Sequence, residues 1–231
     1  MRSPVRHTHA LEHKEIHVWS VALDEVPLDR ADLVLDDSEL ARAARIRTQA
    51  GRQRYLSSHV ALRTLLAGYL AVSPGLPRFT RRCPRPEICG DCGNGRPELL
   101  PGPWPHLDFN LSHSGTTALI ALCRTPAVVG VDVERVRPFD WSRLAAVGPV
   151  DEVAGFRTWT AIEAVGKAAG SGVRNMATVG EPRSDGVRRA RRPGDEADWY
   201  VHEVDCAEGY VGSVATRVPR AEVRTLQWPP P

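Results

Sequence analysis

"HLDFNLSHSGTTALIALC" (His106–Cys123), followed three residues later by "AVVGVDVERV" (Ala127–Val136), decides how this chain folds. The first stretch reads as a strand, a turn at Ser114–Gly115 and a second strand, hence a hairpin. The second reads as one more strand, with Gly130 at its centre. Toward the N-terminus, "IHVWSVALD" (Ile16–Asp24) alternates apolar and polar residues and opens the fold as a strand. Between Asp36 and Val72, apolar Leu62, Leu65, Leu66, Tyr69 and Leu70 recur at helical spacing. This stretch predicts two helices, or one long helix broken near Gly51, with Ser38 as N-cap. Residues 73–105 turn to Pro, Gly and Arg and predict an irregular loop. Toward the C-terminus, helices are expected over part of 140–154 and most of 156–170. "EPRSDGVRRARRPGDEAD" (Glu181–Asp198) predicts a loop, flanked by strands near 199–205 and 210–217, and the Pro-ending tail is expected to fray. A strand–helix–strand plan thus appears twice, around 16–124 and 128–217. The fold class is α+β, built of α/β-type halves: an N-terminal half over 1–125 and a C-terminal half over 126–231.

The composition narrows the function classes. The chain has 231 residues, 42% of them hydrophobic, and a formal net charge of +2. That is enough for one full domain or two small ones, and the near-balanced charge calls for neither nucleic acid nor a membrane surface. No stretch approaches the ~20 apolar residues of a membrane span, and the first twenty residues lack the apolar core of a secretory signal. A cytoplasmic protein is expected, in which the five cysteines stay reduced.

Three groups of residues carry chemistry. In "GVDVE", Asp132 and Glu134 are two apart on a strand and project together, while Val131 and Val133 face the opposite way into a core. On spacing alone the pair reads either as a solvated acidic face or as a site for a divalent cation, Mg²⁺ favouring one or two carboxylates with water and phosphate oxygens. In "WTAIEAVGKAAG", Trp159, Glu163 and Lys167 recur every four residues and share a helix face. A surface Glu–Lys pair would explain that spacing. It explains the choice of lysine less well, since 28 of the 30 basic residues are arginine and only Lys14 and Lys167 are not. A compact point charge against a phosphate would require lysine. In "FNLSHSG", Ser112 and His113 end a strand at a turn and present side chains at a sheet edge.

Taken together, in this order and spacing, "NLSHS" (Asn110–Ser114), "GVDVE" (Gly130–Glu134) and "WTAIEAVGK" (Trp159–Lys167) resemble the 4′-phosphopantetheinyl transferases of the surfactin-synthetase-activating type. "NGRP" (Asn94–Pro97) is similar to that family's Gly-Lys-Pro turn, and the resemblance runs over roughly residues 16–216. It implies a pseudo-dimer of two similar subdomains with the active site between them. It implies transfer of the phosphopantetheine arm of coenzyme A to a serine of an acyl or peptidyl carrier domain, with release of 3′,5′-ADP. By motif, Asp132, Glu134 and Glu163 would hold Mg²⁺, and Glu163 or a water beside it would take the serine proton. Lys167 would stabilise the leaving group. Ser112, His113, Arg42, Arg54 and Arg96 would contact coenzyme A, Arg96 standing where relatives have lysine. A monomer would suffice, and no nucleic acid or membrane partner is implied.

The sequence departs from that pattern at Ile162 and Glu39, where relatives commonly carry basic residues, and in a short segment over 138–155. A protein that binds coenzyme A or a carrier without turnover, in a regulatory role, is the alternative expectation. Cys83, Cys89 and Cys92, with His106, have zinc-ligand character, but a family-specific loop is the reading preferred here.

Overall fold

The computed structural model describes residues 11–82, 95–102, 106–144, 146–148, 150–172 and 175–229. The cysteines 83, 89 and 92 lie outside the described residues, and with them the question of zinc.

The chain opens with β1 (Glu15–Ala22), whose residues are buried on both faces up to Ser20 and Val21. Helices α1 (Ala31–Val34), α2 (Asp37–Ala44) and α3 (Gln49–Leu70) follow. The N-cap of α2 is Asp36, two residues earlier than the Ser38 expected from sequence. Its carboxylate accepts from the Glu39 N–H at 3.0 Å, and the Glu39 carboxylate accepts from the Asp36 N–H at 3.0 Å. That reciprocal capping box satisfies two orphan amides, which Ser38 alone would not do. Ser38 donates to the Asp36 carboxylate instead, at 2.7 Å. The helical region breaks at Arg45–Thr48, and Gly51 sits in the first turn of α3, where its N–H is capped by Thr48 Oγ1. Arg63 on α3 is fully buried and donates to Glu39 at 2.7 Å and Asp36 at 2.6 Å, locking α2 onto α3. Glu39 is therefore a structural anion, paired inside the fold.

Next come β2 (Phe79–Arg82) and β3 (Arg96–Leu99), a small two-stranded sheet, then the hairpin β4 (Leu107–Ser114) and β5 (Thr117–Arg124). β6 (Val129–Arg135) is followed by helix α4 (Glu152–Ala168), capped by the Asp151 side chain on the Ala154 N–H. The last elements are β7 (Thr178–Pro182), β8 (Arg188–Arg191), β9 (Trp199–Val204), β10 (Tyr210–Thr216) and β11 (Glu222–Gln227).

Two of these correct the sequence reading. The Arg-rich stretch expected as a loop over 181–198 contains the end of β7 and the whole of β8, paired as a hairpin, with loop only at 183–187 and 192–198. Arg188 and Ala190 face inward and Arg189 and Arg191 outward, and the Arg188 guanidinium is satisfied by the Gly180 carbonyl at 2.9 Å. The stem of an arginine can fill a core position when its head finds an acceptor. The stretch before the closing prolines forms a further strand: β11 lies parallel to β1, Glu15 opposite Glu222 through Ser20 opposite Gln227, while Pro230 and Pro231 lie outside the described residues.

The main sheets have the orders β11-β1-β5-β4 and β6-β10-β9-β8-β7. Three apolar cores stack through the molecule. One joins the helix α3 to the first sheet through Trp19, Leu62, Leu66, Phe109 and Ile120. The second lies between the sheets, with Ile16, Val18, Leu119 and Ala121 against Val131, Val133 and Val214. The third packs α4 on the outer face of the second sheet through Ala161, Ala164, Val165, Trp199 and Ala215. The architecture is mixed α+β, as the sequence indicated.

β4 and β6 are edge strands of different sheets, and they run side by side. No backbone ladder joins them. Asp108 Oδ2 accepts from the Val129 N–H at 2.8 Å, and Asn110 Oδ1 from the Val131 N–H at 3.0 Å. Ser112 donates to Asp132 and Ser114 to Glu134. Every second side chain of β4 is thus a rung across the seam.

Candidate active site

The site forms where this seam meets α4. Alternation along β6 turns Gly130, Asp132 and Glu134 toward the helix and Val129, Val131 and Val133 into the core between the sheets. Gly130 makes the approach possible. A Cβ there would lie 2.1 Å from the Ala164 carbonyl oxygen and 2.4 Å from the Ala168 nitrogen. Only a residue without a side chain lets α4 settle this close, and Glu163 and Lys167 directly precede the two contact residues Ala164 and Ala168.

The result is a compact charged group. Lys167 Nζ donates to Asp132 Oδ1 at 2.6 Å and to Ser112 Oγ at 2.7 Å, and Ser112 Oγ donates to the same Asp132 oxygen at 2.7 Å. The second oxygen, Asp132 Oδ2, is buried and has no hydrogen-bond partner among the described residues. Ser114 Oγ donates to Glu134 Oε2 at 2.8 Å, and Arg137 reaches the same oxygen at 3.3 Å.

Burial pushes the Asp132 carboxyl above its ordinary range, against the Lys167 charge. Glu163 is raised too, by burial and then by the negative charge of Asp132, with Glu134 adding to it. Three carboxylates therefore share one electrostatic neighbourhood. Desolvation, then the Lys167 and Arg54 charges, lower the His113 imidazole, while Glu134 opposes them. A second cluster adjoins this one. His59 is stacked on Tyr55 with ring centroids 3.9 Å apart, and burial pushes its imidazole down to about 3, with Arg81, His113 and Arg42 contributing in the same direction.

The structure thus brings Ser112, Asp132, Glu134, Glu163 and Lys167 together, with His113 and Arg54 beside them and Arg42 in the adjoining group. The contacts of Arg96 run to Asp108 and to backbone carbonyls. Its guanidinium grips both oxygens of Asp108 at 2.6 and 2.5 Å and donates to the carbonyls of Phe109 and Ala168. It braces β3, β4 and the end of α4. Ile162 is fully buried, on a different face of α4 from Glu163 and Lys167, so an apolar residue there serves the core.

Sequence reasoning placed Asn110 and Ser114 in a motif without giving them a role, and passed over Arg81 and Asp108. The signal was the period-two run Asp-x-Asn-x-Ser-x-Ser, which looks like a solvated strand face until a partner strand is known. The tyrosine Tyr55, with its buried hydroxyl unpartnered among the described residues, gave no such signal.

The residues suit a divalent cation in one respect and are not a ready cage in another. Three mutually repelling carboxylates and an orphaned carboxylate oxygen favour a cation. Among the described residues no group of three or more His, Cys, Asp or Glu side chains is assembled around a single point. Magnesium does not need one, since phosphate oxygens and waters complete its shell.

On a mixed α+β scaffold, a lysine, a serine and three acids converge at a two-sheet seam. No protein-family model matches the chain. Sequence comparison gives 32% identity over 182 residues to the 4′-phosphopantetheinyl transferase HetI of Nostoc sp., spanning 71% of this chain and 73% of that protein. A second relative, the 4′-phosphopantetheinyl transferase psf-1 of Bacillus pumilus, is 31% identical over 144 residues, 56% of this chain and 60% of psf-1. The chain belongs to the 4′-phosphopantetheinyl transferase family.

Proposed function

We propose that this protein transfers the 4′-phosphopantetheine arm of coenzyme A to a serine of an apo carrier domain, and that it is of the surfactin-synthetase-activating type. The observation that carries this reading is the contact of Lys167 with both Ser112 and Asp132, because it unites the three sequence motifs in one place. The serine oxygen attacks the β-phosphorus, the bond to the bridging oxygen breaks, and 3′,5′-ADP leaves. Glu163 accepts the serine proton. Its raised pKa makes it a stronger base than an exposed carboxylate. Lys167 neutralises charge on the α-phosphate of the departing 3′,5′-ADP, as positioned cations do in phosphoryl-type transfer. His113, Arg54 and Arg42 hold the nucleotide phosphates, and Arg96 acts by bracing Asp108. Asp132, Glu134 and Glu163 would hold Mg²⁺, which when bound neutralises the pyrophosphate oxygens.

The two halves, 1–125 and 126–231, then act as subdomains of a pseudo-dimer in which one chain makes a whole site, with β11 returning to the first sheet. The acceptors are acyl or peptidyl carrier domains of fatty-acid, polyketide or nonribosomal-peptide type, in the cytoplasm. Among the described residues no helix is long and apolar enough to cross a membrane. Retention of all three acids with Lys167 speaks against a non-catalytic regulatory relative. Incubation with coenzyme A, Mg²⁺ and an apo carrier is expected to add one phosphopantetheine to the carrier by intact mass. Chelator and Glu163→Gln are expected to abolish the gain. No gain with wild-type protein across several carriers would refute the transferase reading.

A further inference from the structure

The motif resemblance makes Ser112 a coenzyme A contact. The geometry points to a different duty, and we infer that Ser112 and Ser114 are positioning residues that aim the carboxylates of Asp132 and Glu134. Both serines lie on the seam face of β4, two residues apart. Each spends its hydroxyl proton on one acid: Ser112 on Asp132 Oδ1 at 2.7 Å, Ser114 on Glu134 Oε2 at 2.8 Å. The acceptor sides of the hydroxyls are also used. Ser112 Oγ receives Lys167 Nζ at 2.7 Å, and Ser114 Oγ receives the Arg135 N–H at 3.2 Å. Ser112 is buried. Little of either hydroxyl remains for a ligand.

The consequence for Asp132 is directional. Two donors hold Oδ1, which leaves Oδ2, buried and unpartnered, as the oxygen on offer. A carboxylate fixed by one oxygen presents the other at a set angle, and partners one step removed from a metal tune its affinity in this way. His113, between the two serines, faces the opposite side of β4 by strand alternation. It therefore remains the residue of this motif that meets the nucleotide. The strand divides its labour: even positions orient acids, and the odd position between them contacts the ligand.

This inference rests on the transferase reading, and its test separates the two. Metal-free wild-type protein, Ser112→Ala, Ser112→Thr and Ser114→Ala are titrated with Mn²⁺ in the presence of saturating coenzyme A and no carrier, reading free Mn²⁺ by its paramagnetic resonance signal. Coenzyme A binding is measured separately by calorimetry in chelator. The alanine variants are expected to bind Mn²⁺ about tenfold more weakly or worse, with metal-free coenzyme A affinity changed less than about twofold, and Ser112→Thr is expected to restore Mn²⁺ binding. Weakened coenzyme A binding in chelator with Mn²⁺ affinity intact would overturn the inference and return Ser112 to ligand contact. Unchanged Mn²⁺ affinity in both alanine variants would also overturn it. Wild-type protein that binds no Mn²⁺ with coenzyme A present would instead overturn the metal-dependent transferase reading itself.

Discussion

Replacing Gly130 with alanine tests the way the site is assembled. The added Cβ would fall 2.1 Å from the Ala164 carbonyl oxygen, 2.4 Å from the Ala168 nitrogen and 2.9 Å from the Ala168 Cα. All three are backbone atoms, so no side-chain rotation relieves the clash. Restoring ordinary contact at 3.4 Å requires α4 and β6 to separate by more than an ångström. Overpacking of this kind costs about 1–3 kcal/mol, and the rigid neighbours place Gly130→Ala at the upper end, about 3 kcal/mol. The same separation lengthens the 2.6 Å Lys167–Asp132 contact beyond hydrogen-bond range. A misplacement of about 1 Å costs on the order of a hundredfold in rate. Urea unfolding measures the first effect, and the initial rate of carrier modification by intact mass measures the second. If the variant unfolds at the wild-type urea concentration and modifies carrier at the wild-type rate, close approach at Gly130 does not build this site.

Glu163→Gln is expected to stabilise the metal-free protein at neutral pH while abolishing transfer. The folded state raises the Glu163 carboxyl above 4.5 through burial and its acidic neighbours. Stability tied to its proton is therefore full below the unfolded value and lost as pH rises through the folded one. Thermal melts of the two proteins should converge at acid pH and separate above it, and a wild-type advantage at pH 7 would contradict this. Arg96→Ala leaves Asp108 buried without its cation and should cost about 3 kcal/mol in urea unfolding. If bracing Asp108 is the whole duty of Arg96, the folded fraction at low temperature should keep near-normal affinity for coenzyme A, and its loss in protein that remains folded would assign Arg96 to the nucleotide.

The hairpin β4–β5, the strand β6 and the helix α4 were legible because each shows either a clear period or a short apolar run bounded by turn residues. Asp132, Glu134, Glu163 and Lys167 were legible for the same reason, since two-residue and four-residue spacing fix which side chains share a side. What escaped depended on partners far along the chain. Arg188 could be read as buried only once the Gly180 carbonyl opposite it was known. β11 has three half-buried positions and takes its identity from β1. The contacts of Ser112 with Asp132 and Lys167 were not legible, because a hydroxyl's partner is set by the seam and no local pattern encodes where two sheet edges meet.

That seam has a consequence for solubility. An edge strand with free amides invites pairing with another copy of itself, and proteins commonly block such edges with charge, proline or a covering segment. Here the amides of Val129, Val131 and Arg135 are occupied by side-chain oxygens of Asp108, Asn110 and Ser114. The same polar row that steadies the acids of the site therefore keeps the strand beneath them from becoming a template for aggregation.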